Sequence, residues 1–125
     1  AVLLICAMLS ESELREFSEI AASLKMDALV EAHTEEEAKM AVDIGARIVG
    51  VNNRDLKSFT VDTGRSAALR KFVPEETVFI SESGIKTRDQ VRELGEKGVD
   101  AVLVGETLMR AKDKKKMLCE LDGRK

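Results

Sequence analysis

Apolar residues fall along the chain in five short, nearly continuous runs: Val2 to Leu9, Ala28 to His33, Arg47 to Asn53, Thr77 to Ser83 and Ala101 to Gly105. Each is followed by a polar turn, the pattern of buried strands. Runs without strict alternation suit a parallel sheet covered on both faces, because both sides of each strand then lose contact with water. Between the runs the period changes to that of a helix. From Ser10 to Leu24, residues Leu14, Phe17, Ile20, Ala21 and Leu24 recur at three- and four-residue steps, which predicts an amphipathic crossover helix facing the core along that stripe. Thr34 followed by Glu37 reads as a capping box opening a second helix that closes at Gly45, and Thr87 with Gln90 opens another that closes at Gly98. Pro74 and the pair Glu75 and Glu76 punctuate the passage into the fourth strand, where a missing N–H costs nothing.

The strand starts, near residues 2, 28, 47, 77 and 101, are on average about 25 residues apart, and eight such units make about 200 residues, the lower end of a (β/α)8 barrel. Five units are present, and the first opens at Ala1 with no cap before it, which reads as part of a larger barrel. The expected fold class is therefore α/β, a partial TIM barrel of five parallel strands and their helices, with residues 1–125 as a single partial domain. An open, doubly wound five-stranded sheet competes with it. Polar residues at the C-terminal ends of successive strands, Glu31 and His33, Asn52 and Asn53, Ser81 to Ser83, and Gly105, favour the barrel, whose active sites are built there.

With 125 residues, 44% hydrophobic and 34% charged, and a net charge of −3, one compact domain is expected. The weak negative charge and the absence of Trp and Tyr argue against a nucleic-acid partner. No apolar run approaches the ~18 residues of a membrane span, and Ala1 to Leu9 lacks the charged start of a secretory signal. Cys6 and Cys119 lie at opposite ends of the chain without CxxC spacing, so a reduced, cytoplasmic protein without zinc is expected.

Alternation along the second strand places Leu29, Glu31 and His33 on one face, and Ala28, Val30 and Ala32 on the face that packs on helices. A Glu31 turned inward needs a cation or takes a raised pKa, and either serves proton transfer; a Glu31 at an exposed strand end would merely solubilise the loop. On the third strand Ile48, Gly50 and Asn52 share a face, which puts Asn52 where Glu31 points. Asn52 offers an amide to hydroxyl groups and Arg54 a planar cation to carboxylate or phosphate. Ordinary turn chemistry is the competing reading, with Asn53 at an unusual φ and Arg54 paired to Asp55 on the surface. The turns SESGI and VGET place glycines directly after the last two strands, where backbone N–H groups can approach a phosphate.

The segments LLICAML, DALVEAHTEEE, GARIVGVNNRDLKSF, VFISESGIKTRDQV and GVDAVLVGETLMRA together resemble the C-terminal part of indole-3-glycerol phosphate synthase, in order over essentially the whole chain. The resemblance implies strands four to eight of a (β/α)8 barrel. It implies a carbon–carbon lyase of tryptophan biosynthesis that closes a pyrrole ring: 1-(2-carboxyphenylamino)-1-deoxyribulose 5-phosphate loses carbon dioxide and water to give indole-3-glycerol phosphate. No cofactor and no metal are implied. The catalytic group so implied is Glu31 as general acid/base, Asn52 as the positioning amide, and Ser83. Arg54, Glu82 and Leu103 contact the substrate, Leu103 as an apolar wall, while the backbones of Gly84, Gly105 and Glu106 hold its phosphate. The Glu106 carboxylate has then to point away from the phosphate its N–H faces.

The family's essential lysines belong to strands one and three, and Lys25, Lys39, Lys57, Lys71, Lys86 and Lys97 all fall in helices or loops here. The chain alone is therefore expected to be inactive. Its partners are expected to be a phosphorylated small molecule and either the N-terminal half-barrel or a second copy of itself, with no membrane. A catalytically silent half-barrel, or another phosphate-binding barrel enzyme, are the alternatives. His33, the only histidine, reads as packing or hydrogen-bonding at its strand end rather than binding metal. In the basic tail from Arg110 through Lys116 and at Arg124 and Lys125, the cations read as a solvated face, with Met109, Met117, Leu118 and Leu121 turned to the core.

Overall fold

A computed structural model describes residues 1–55 and 58–123. Of the residues singled out above, Leu56, Lys57, Arg124 and Lys125 lie outside the described residues. Strands β1 (Val2–Ile5), β2 (Ala28–Ala32), β3 (Ile48–Asn52), β4 (Val78–Glu82) and β5 (Ala101–Leu103) alternate with helices α1 (Glu11–Ser23), α2 (Glu35–Asp43), α3 (Gly64–Leu69) and α4 (Arg88–Glu96). Two more helices, α5 (Glu106–Arg110) and α6 (Lys114–Asp122), follow β5. All strand pairs are parallel and the spatial order is β1-β2-β3-β4-β5.

That order decides between the two architectures. A doubly wound sheet reverses its winding once, and its helices fall on both faces. Right-handed crossovers that always step in the same direction put every helix on one face and curl the sheet toward the other, as an arc of a barrel. Residues turned to the helices, Val30, Ala32, Val49, Val51, Phe79 and Ser81, are fully buried. The opposite face is not covered as expected: Leu3, Val78 and Leu103 are exposed there.

The helix starts follow their caps. Ser10 with Glu13 and Thr87 with Gln90 close reciprocal capping boxes. Thr34 accepts from the Glu37 N–H, but the Glu37 carboxylate accepts from the main-chain N–H of His33 at 2.6 Å, so that box is displaced by one residue. Gly45 and Gly98 follow helix ends at positive φ, 77° and 80°. The first strand is shorter than expected because the chain turns after Ile5, where the Met8 N–H bonds back to the Ile5 carbonyl. Three of the five stripe residues of α1 do not reach the core: Leu14 and Ala21 are buried, whereas Phe17, Ile20 and Leu24 are exposed beside the β1 edge, where no further strand among the described residues gives them a floor. Met109 and Leu118 are likewise exposed, since the break between α5 and α6 interrupts the helical period that placed them inward, and Leu121 alone is buried there.

Candidate active site

On the helix-free face the register sets Glu31 beside Gly50, Asn52 beside Glu82, and Glu82 beside Leu103. Glu31 and Glu82 are 3% and 4% exposed, so two carboxyls share a buried site. They fit because Gly50 stands between their strands: a Cβ there would overlap Glu82 Oε1. Asn52 Nδ2 donates to Glu31 Oε2 at 3.3 Å, and its Oδ1 accepts the Arg54 N–H at 3.0 Å. His33 Nε2 stands 3.4 Å from Glu31 Oε1. Inward orientation of Glu31 is thus realised, with His33, Asn52 and a second carboxyl as its neighbours.

Burial, the negative charge of Glu31 and a hydrogen bond with its side chain push the Glu82 carboxyl up to about 8. Two adjacent carboxyls in a dry site cannot both ionise cheaply, so burial and the neighbouring carboxyl favour the protonated form of Glu82. An acid beside a carboxylate is an arrangement able to deliver and remove protons at one locus. Sequence reading placed Glu82 only as a pocket wall; its acidity arises from β3–β4 register, of which the glycine within the otherwise β-branched strand IVGVN was the visible trace.

Asn53 is structural and not a strained turn residue. It is fully buried, and its Nδ2 donates to Ser81 Oγ at 2.9 Å and to the Ser83 carbonyl at 3.1 Å. Its Oδ1 accepts from the Ser66 hydroxyl at 2.6 Å and the Ser66 N–H at 3.2 Å, tying β3, β4 and α3 together. Ser81, a strand-end polar residue in the sequence pattern, therefore faces the helix layer. Ser83 and Gly84 both adopt positive φ, 68° and 77°. A Cβ on Gly84 would overlap Val61, so close packing as well as conformation demands glycine there.

That turn opens onto a cleft of about 1060 Å³ whose lining includes Arg54, Ser83, Gly84, Leu103, Gly105 and Glu106. Six residues expected to contact substrate are thus gathered at the ends of β3, β4 and β5, and Leu103 adjoins Glu82 in the register. The Thr107 hydroxyl donates to the Ile85 carbonyl at 2.6 Å and locks the two glycine turns together. Arg54 finds its exposed partner far along the chain rather than within its own turn: its Nη2 donates to Glu106 Oε2 at 2.7 Å. Glu106 also accepts from Arg110 Nε at 2.9 Å, and these two guanidinium groups hold its carboxyl below the usual range. Lys86 and Arg110 also line the cleft, two cations that sequence reading left on loop and helix faces. Among the described residues no helix is long and apolar enough to cross a membrane.

Solved structures share this arc. Thiamine phosphate pyrophosphorylase from Pyrococcus furiosus superposes with a TM-score of 0.76 at 23% identity, over 98% of this chain and 57% of that one. 3-Hexulose-6-phosphate synthase does so with 0.72 at 15%, over 98% and 60%. At such identities the likeness concerns the fold alone, and that fold is the (β/α)8 barrel. Sequence relatives are nearer. Indole-3-glycerol phosphate synthase of Leuconostoc mesenteroides subsp. mesenteroides is 51% identical over 99% of this chain, and that of Endomicrobium trichonymphae 52% identical over 97%. The chain covers 47% of each, and so spans about half the length of the curated relatives it matches. The family model for indole-3-glycerol phosphate synthase matches residues 1–121. With strand order, glycine turns and sequence in agreement, the chain belongs to the indole-3-glycerol phosphate synthase family.

Proposed function

We propose that this chain supplies the β2–β5 side of an indole-3-glycerol phosphate synthase active site, in which an anthranilate-bearing ribulose phosphate closes its pyrrole ring with loss of carbon dioxide and water. The observation that carries this reading is the buried Glu31–Glu82 pair beside a cleft that ends in two glycine turns. After the carboxylate has left as carbon dioxide, Glu82 donates a proton to the departing hydroxyl and Glu31 removes one from the adjacent ring carbon, which releases water and gives the indole ring of indole-3-glycerol phosphate. Asn52 orients a substrate hydroxyl while fixing Glu31, and Ser83 offers its hydroxyl at the mouth. Leu103 forms the apolar wall for the aromatic ring. The backbones of Gly84, Gly105 and Glu106 hold the phosphate, with the Glu106 carboxylate drawn aside by Arg54 and Arg110. Arg54 exchanges that carboxylate for the carboxylate of the substrate.

The carbonyl-activating lysines of the family belong to barrel strands one and three, and this chain alone is inactive in this reading. Its partner is the N-terminal half-barrel, which covers the apolar side chains left open at Leu3, Val78 and Leu103. The test is to express the chain alone and beside an N-terminal piece carrying strands one to three, and to follow indole-glycerol phosphate by fluorescence. Product in the mixture only is the expected result. Absence of product in both, with inorganic phosphate bound by the chain alone, would instead identify a silent half-barrel that associates with its own copy.

A further inference from the structure

Arg54 is placed to take an anion but already holds one. Its main-chain N–H donates to Asn52 Oδ1 at 3.0 Å, and Asn52 Nδ2 reaches Glu31 Oε2, so its backbone is tied to the buried end of the site. Its guanidinium reaches across the cleft to Glu106, the first residue of α5. Among the described residues lining that cleft Glu106 is the only acid, set against the cations Arg54, Lys86 and Arg110.

The contact has the features of one that is readily exchanged. Arg54 meets Glu106 through a single N–H···O bond, at 2.7 Å, whereas a guanidinium can grip a carboxylate with two parallel bonds. The Glu106 side chain is 55% exposed and that of Arg54 30%, so water weakens their attraction and an arriving anion meets little resistance. The other Glu106 oxygen, Oε1, accepts from Arg110 Nε at 2.9 Å. Arg110 lies four residues further along the same helix, a spacing that α5 sets without help from Arg54. A Glu106 carboxylate released from Arg54 therefore keeps a cationic partner, and its release costs less than breaking an isolated pair.

We propose that the Glu106 carboxylate is a built-in competitor for Arg54, left to Arg110 when a substrate carboxylate arrives, and that this exchange sets how tightly the site takes that carboxylate. The proposal rests on the reading of Arg54 as the residue that holds the carboxylate of the substrate, and adds what that group has to displace. It also gives the exchange a place in the reaction. Once the substrate carboxylate has left as carbon dioxide, Arg54 has lost its anion, and Glu106 is at hand to return to it.

Anthranilate titrated into this chain, followed by the amide NMR shifts of residues 103–110, reads the exchange without turnover. The three side chains are each at least 30% exposed, so substitutions there leave the fold in place. Arg54→Met weakens anthranilate about tenfold or more, because it removes the charged partner. Glu106→Gln, which keeps the shape and the main chain, tightens it about two- to fivefold. In the Arg54→Met background the same change has no effect, since no guanidinium is left to compete for. Arg110→Met weakens anthranilate about twofold in the unaltered chain and not in Glu106→Gln, because Arg110 acts through Glu106. A Glu106 that only positions Arg54 gives weaker binding in Glu106→Gln, and one that merely adds negative charge to the cleft gives the same gain with and without Arg54; either result overturns the proposal. An Arg110→Met loss of equal size in both backgrounds overturns the handover. If Arg54→Met binds anthranilate as well as the unaltered chain does, or if no variant binds it, the reading of Arg54 itself fails and the proposal with it.

Discussion

Strands β2, β3 and β4 have a neighbour on each side, and their helix-facing side chains Val30, Val49 and Phe79 are at most 1% exposed. At the two edges, β1 and β5 leave Leu3 and Leu103 48% and 47% exposed, and Phe17, Ile20 and Leu118 on the flanking helices add to the open apolar surface. The buried polar chemistry lies in the middle: Glu31, Asn53, Ser81 and Glu82. A carboxyl pair is costly to bury unless its surroundings are fixed, and a backbone paired on both sides fixes them. The edges instead present apolar area that another strand layer would cover, which accords with a chain spanning about half of its relatives.

The sharpest way to break this contrast is to empty the centre. Phe79→Ala should cost about 3–5 kcal/mol in a denaturant titration, because it opens a cavity under fully packed strands, whereas Leu103→Ala should change stability by no more than about 0.5 kcal/mol. Equal costs at the two sites would show that the edge is packed like the middle. Asn53→Ala comes next, at about 1–3 kcal/mol, since it orphans the Ser66 N–H inside the helix layer and leaves the Ser81 hydroxyl only its bond with Ser66 Oγ. Hydrogen exchange should then accelerate in α3 and β4 together.

The pH dependence tests the carboxyl pair. Folding raises the Glu82 carboxyl from 4.5 to about 8, so the folded chain holds a proton that the unfolded chain has already released between those values. Stability therefore falls as pH rises through that window. Glu82→Gln should flatten this slope, and Gly50→Ala, by crowding Glu82 Oε1, should lessen it with the fold retained. An unchanged slope in Glu82→Gln would assign it to another group. For the edges, replacing Phe17, Ile20 and Leu118 together with Ser should scarcely move the unfolding midpoint but reduce self-association in sedimentation velocity. The smallest effect is expected at the exposed pair Arg54–Glu106. Glu106→Gln should leave the midpoint nearly unchanged, with any difference vanishing at high salt.

How far the sequence reaches is visible in single residues. Ser10 and Thr87 announced their capping boxes, because a cap is made from residues three apart. Alternation correctly turned Glu31 and Asn52 to one face and Val30 and Ala32 to the other, because a strand's period is local geometry. Phe17 and Met109 were misjudged because a helical stripe states that apolar residues share a side, not that anything lies opposite. Asn53 looked like a turn residue for a similar reason: its partners Ser66 and Ser81 are 13 and 28 positions away.

Local pattern therefore determined the alternation of strands and helices, the caps, the glycine turns and the inward face, and the ordered motifs determined the family. Only the tertiary structure decided the consecutive strand order, the pairing of Arg54 with Glu106 across 52 residues, and the burial of the Glu31 and Glu82 carboxyls side by side. Each of these depends on register and desolvation, quantities that come into being when distant strands lie side by side and water leaves.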